Sequence, residues 1–142
     1  MCAAYEANPG MAEEERFERW EPIDGLAPKM YIDGMYDDRE GFRLILKSAD
    51  PKMRSLRILF DAPLCYRGAQ EAYLLRQIYQ GNDIYPWPIF IVRNSRYAKW
   101  FYSQATDAID RDGHHYHIAA MDEIIDVLSA RPPIVTWLND AV

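Results

Sequence analysis

Between Gly41 and Phe60 the chain alternates apolar and polar residues on both sides of one polar turn, GFRLILKSADPKMRSLRILF. Successive side chains of a strand point to opposite faces. A period of two therefore puts Phe42, Leu44 and Leu46 on one face and Arg43, Ile45 and Lys47 on the other. Residues 48–53, with Asp50-Pro51, break the run, and Leu56, Ile58 and Phe60 then resume it against Ser55, Arg57 and Leu59. Upstream, residues 29–36 set Met30, Ile32, Gly34 and Tyr36 against Tyr31, Asp33 and Met35. Asp37-Asp38-Arg39-Glu40-Gly41 is dense in turn formers and joins the two runs. Three strands with short connections predict an antiparallel meander whose apolar face a second layer must cover.

Two helices are the expected cover. Over residues 68–80, Ala72, Leu74, Leu75, Ile78 and Tyr79 recur at helical spacing, and Gly81-Asn82 supplies a stop. Over residues 96–105, Tyr97, Trp100 and Phe101 form a second stripe behind the capping residues Asn94 and Ser95. Between them lie an aromatic loop, residues 84–88, and the short apolar strand 89–92. Residues 114–120 read as an edge-like strand and 134–138 as a terminal one. Residues 122–129 fit either a helix, through Ile124, Val127 and Leu128, or a strand, through Ile125 and Val127. The expected fold is α+β: a mainly antiparallel sheet of about five or six strands with two main helices on one face. It forms one domain from residue 20 to 142, preceded by an acidic, flexible extension over residues 1–19 with a short helical possibility in 11–20.

Composition narrows the function classes. A chain of 142 residues, 49% hydrophobic and 27% charged, can bury a core without metals or disulfides. Neither a membrane span nor a signal peptide is legible, which leads to the expectation of a cytoplasmic protein. Cys2 and Cys65 read as free thiols. Of the net charge of −6, −4 lies within residues 1–21, where six acids face Arg16 and Arg19. The remainder is nearly balanced and shows no basic stripe, so no nucleic-acid partner is expected.

Candidate chemistry is sparse. His115 and His117 would point the same way from a strand, as a pair of zinc or copper ligands does, but no third residue has ligand spacing. The expectation is no metal and no cofactor. Asp33, Asp37, Asp38 and Glu40 cluster about one hairpin tip, where solvation favours a soluble turn or an anionic patch over paired acid–base catalysis. Cys65 has no accompanying Cys–His motif, and no nucleophile elbow, phosphate loop or metalloprotease motif is present, so an enzyme is not the leading expectation. Tyr85-Pro86-Trp87-Pro88 can present rigid aromatic area to a partner, or plug one end of the core.

Several stretches together resemble a family of small bacterial cytoplasmic proteins grouped with immunity proteins of toxin systems. They are WEPIDGL from Trp20, DDREGFRLIL from Asp37, LRILFD from Leu56, Tyr66-Arg67, Trp100-Phe101, His115-Tyr116 with Ile118, and IDVLS from Ile125. The resemblance supplies no catalytic residue. It implies a non-enzymatic domain that neutralises a cognate toxin by direct binding; apart from the resemblance, the acidic tip and the aromatic loop make Asp33, Asp37, Asp38, Glu40, Tyr85 and Trp87 the expected contact residues. Two alternatives stand beside it: a small-molecule-binding or enzymatic domain with a pocket lined by Tyr85, Trp87, Trp100 and His115, and a self-associating subunit, such as a homodimer, joined through a sheet edge.

Overall fold

The alternating stretches around Gly41 form the predicted meander, and a second sheet covers it. The computed structural model describes residues 14–70, 86–105 and 113–139. The elements are β1 (Arg16–Arg19), β2 (Met30–Asp38), β3 (Gly41–Ser48), β4 (Leu56–Phe60), β5 (Pro63–Gln70), β6 (Ile89–Arg93), α1 (Arg96–Gln104), β7 (His114–Ala119), β8 (Glu123–Ser129) and β9 (Ile134–Trp137). Strands β2-β3-β4-β9 make one sheet and β1-β6-β7-β8-β5 the other, with every pairing antiparallel. Gly41 takes a φ of +108°, which L-residues avoid, and so permits the two-residue turn at Arg39-Glu40.

One core unites the two sheets. Met30, Phe42, Leu44, Leu46, Leu56, Ile58 and Phe60 from the first meet Ile89, Tyr116, Ile118, Ile125 and Val127 from the second. The Phe60 ring lies 6.0 Å from that of Phe42 on its own sheet and 5.8 Å from that of Tyr116 across the interface. Face-to-face packing of two antiparallel sheets is a β-sandwich arrangement.

The two-helix cover is thus corrected. Among the described residues α1 is the one helix, and the apolar face of the meander is buried by strands. Gly68–Gln70, the expected start of the first helix, ends strand β5; residues 71–80 lie outside the described residues. Residues 123–129 form a strand, not a helix, because both faces of EIIDVLS are covered and the apolar run carries no amphipathic period. Strand β7 is central, between β6 and β8, not an edge. Arg16–Arg19, assigned to the extension by sequence, pairs with β6.

Candidate functional site

The second sheet is buried on both faces along its central strands β7 and β8. On β7, Tyr116 and Ile118 enter the common core while His115 and His117 point to the other side, where α1 packs. Cross-strand register then assembles a polar row. Asp126 on β8 lies directly opposite His117 on β7 and directly opposite Arg67 on β5. His115 is opposite Leu128, one step diagonal to Asp126.

Those offsets determine which imidazole nitrogen reaches the carboxylate. Direct partners have Cβ atoms about 5 Å apart and diagonal ones about 7–8 Å. Accordingly the near nitrogen of His117, Nδ1, meets Asp126 Oδ1 at 2.7 Å, and the far nitrogen of His115, Nε2, meets the same oxygen at 2.6 Å. Arg67 Nε donates to Oδ2 at 3.1 Å. Burial by itself works against ionising Asp126, but the hydrogen bonds from His115 and His117 outweigh it and hold the carboxyl far below its ordinary range. An ionised carboxylate only accepts, so both facing nitrogens donate.

Helix α1 completes the cluster. Ser95 is its N-cap: its Oγ accepts from Ala98 N at 2.9 Å and lies 2.6 Å from His115 Nδ1. With His115 Nε2 protonated, Ser95 donates to Nδ1. Ser95, His115 and Asp126 thus run in a line, but all three are buried, and the hydroxyl is occupied as a helix cap. Replacing Ser95 with Ala removes a cap and strands His115 Nδ1, so a loss of about 2 kcal/mol is expected in urea unfolding. His117 Nε2 is buried with no partner among the described residues. Tyr97 closes the cluster, with Arg67 stacked 4.0 Å from its ring and its hydroxyl accepting from the Cys65 thiol at 3.2 Å. Burial pushes that thiol up, which leaves it protonated and a poor nucleophile at neutral pH.

A second feature is the side of the sandwich where β2 and β5 each end a sheet. Tyr66 bridges the sheets there: its ring stacks 3.9 Å from Phe42, and its hydroxyl donates to Asp37 Oδ2 at 2.8 Å. Tyr36 lies over Gly34, where an added Cβ would come 2.7 Å from the ring, and Arg43 sits 5.0 Å from the same ring. Met35, Tyr66, Gly68 and Ile125 help to line an open groove of ≈ 510 Å³. The Asp122 side chain and Met121 N bond to Ile32 N and Met30 O, so the first residues of β2 are tied to the β7–β8 turn. Beyond Ile32, no neighbouring strand pairs with the outer edge of β2 among the described residues, and the same holds for β5.

The sequence-predicted residues divide between these two places. His115 and His117 are in the buried cluster, with the third partner that spacing did not reveal, Asp126. Asp33 is exposed at a bulge in β2. Asp37 and Asp38 belong to β2, not to the turn, and are engaged: Asp37 by Tyr66, and Asp38 by Arg43 at 2.7 Å, which with the Glu40 amide keeps the Asp38 carboxyl low. Arg43 also reaches Glu40 at 3.5 Å, so the tip is partly neutralised. Trp87 is half-buried: its Nε1 donates to the Trp20 carbonyl at 3.0 Å, and Arg19 lies 5.4 Å from its ring. Tyr85 lies outside the described residues. Trp100 is exposed on α1, stacked against Tyr97. Sequence reasoning missed Asp126, Arg67, Ser95 and Tyr97 as a group. Arg67, His115 and Asp126 come from three separated stretches of sequence, and the fold joins them.

No protein-family model, curated protein or solved structure matches the chain. No helix among the described residues is long and apolar enough to cross a membrane.

Proposed function

We propose that this chain is a non-enzymatic protein-binding domain whose partner docks along the β2 and β5 edges. One observation carries the reading: of seven exposed large hydrophobic residues among the described ones, four, Tyr31, Met35, Tyr36 and Tyr66, lie on these two strands. Soluble proteins ordinarily protect an edge with Lys, Pro or a covering segment, because its free N–H and C=O groups recruit other chains. Here the edges carry Tyr and Met with Arg43 beside Tyr36, residue types enriched at interface centres. Asp33, exposed at the β2 bulge, leaves an acidic group beside the edge that suits a basic residue of the partner. An extended segment of the partner would add to an edge strand, main-chain bonds giving affinity and the tyrosines specificity.

The resemblance to immunity proteins supplies the partner class, a cognate bacterial toxin domain, and the protein would act by covering it. Co-expression tests this: cells making a toxin domain encoded beside this gene should survive when the chain is present. Death in every such pairing would refute the toxin as partner. Sedimentation addresses the self-associating alternative, since a stable homodimer that hides Tyr36 and Met35 would assign the edge to a second copy of the chain.

A further inference from the structure

We infer that His115, His117 and Asp126 form a binding site for one divalent transition-metal ion of the zinc class, independent of the partner-binding edge. Their donor atoms, His115 Nε2, His117 Nδ1 and Asp126 Oδ1, all lie within 4.8 Å of one another, and all three residues are buried. Two imidazoles and one carboxylate suit zinc and its neighbours, whereas calcium and magnesium require oxygen. At zinc bond lengths near 2.0–2.1 Å, tetrahedral donors stand about 3.3 Å apart. The two hydrogen-bonded separations, 2.6 and 2.7 Å, must widen by about 0.6 Å, and the two imidazole donors, which lie within 4.8 Å, must settle at the same spacing.

The surroundings fix two of the three ligands on their other atom, while His117 Nε2 has no partner among the described residues. Ligating histidines and carboxylates are usually fixed by a hydrogen bond on their other atom. Ser95 Oγ is at 2.6 Å from the other nitrogen of His115, and Arg67 Nε holds the other oxygen of Asp126 at 3.1 Å. On metal binding the His115 proton moves from Nε2 to Nδ1, and Ser95 Oγ changes from donor to acceptor. The His117 proton moves likewise from Nδ1 to Nε2, so neutral imidazoles need release no proton. The Arg67 side chain is 49% exposed, and water screens its charge from the ion. Three protein donors leave one coordination position for a small exogenous ligand.

The test is titration of the chelator-stripped full chain with Co2+, followed by competition with Zn2+. Expected are one equivalent bound, the intense visible bands of a tetrahedral Co2+ centre, and a melting temperature raised on the order of 10 °C when free zinc is a hundredfold above Kd. His117→Gln should abolish the bands. Ser95→Ala, which leaves all three donors in place, should weaken binding about 10- to 100-fold. Absence of both bands and melting shift in the unaltered protein would overturn the site, as would undiminished binding by His117→Gln, which would put the ion elsewhere. The unaltered protein alone decides the first outcome, so the test survives if a variant fails to fold.

Discussion

Asp126→Ala should destabilise the metal-free protein by about 3–5 kcal/mol, because it strands two buried imidazole donors at roughly 1–3 kcal/mol each. The carboxylate is 1% exposed and accepts from three side chains. Truncation leaves two buried imidazole N–H groups facing a void and frees Arg67 from its anchor. Asp126→Asn should cost less, because its carbonyl still accepts from one imidazole. A lower urea midpoint with an unchanged slope is the expected signature. The loss should also depend on pH. Because the folded carboxyl titrates below its ordinary 3.8, its stabilising contribution is complete above that pH and disappears as acidification proceeds below it. Asp126→Asn should therefore flatten the acid limb of the stability curve. A cost under about 1 kcal/mol for Asp126→Ala would mean that the cluster does not hold β5, β7 and β8 together.

The second large effect concerns the edge. If the proposed edge-docked partner is a toxin domain, Tyr36→Ala should weaken its binding by about 2 kcal/mol, roughly 30-fold in Kd, as expected for a tyrosine anchor near an interface centre. The ring is 48% exposed in the free protein, so its removal should alter folding stability by less than about 1 kcal/mol. Tyr66 is a less clean probe, because its ring also packs on Phe42 and its hydroxyl holds Asp37. Tyr66→Phe would separate the Asp37 bond from the stacking. Titration calorimetry against the toxin domain, paired with urea unfolding of each variant, distinguishes a lost contact from a damaged fold.

Periodicity revealed the meander because β3 and β4 alternate strictly and join through short turns; in β2 a bulge between Ile32 and Gly34 shifts the register, so Gly34 and Tyr36 pair with Ile45 and Arg43 and do not share the face of Met30 and Ile32 as expected. The apolar run 89–92 and the Ser95 cap likewise located β6 and α1. The covering layer was illegible for a physical reason: it is assembled from β1, β5, β6, β7 and β8, which alternation alone cannot pair. PLCYRGAQ carries a proline and a glycine that argue against a strand, a cost tolerated at a sheet edge. EIIDVLS, covered on both sides, lost the alternation that would have distinguished strand from helix. That ambiguity also concealed the site. Taking residues 114–119 and 123–129 as a hairpin sets His117 opposite Asp126, and a lone acid inside an apolar strand then calls for partners. The acidic tip was overread, since Arg43 and Tyr66 engage charges that sequence left in solvent.

Hydrogen exchange tests the central claim of an edge-docked partner most directly. The outward-facing amides of β2 beyond Ile32 and of β5, which no strand pairs among the described residues, should exchange more readily in the free protein than those bonded to β3 and β8. On addition of the toxin domain, they should slow markedly while those of β9 and α1 stay unchanged. Protection confined to β9 or α1, with β2 and β5 unaffected, would contradict the account.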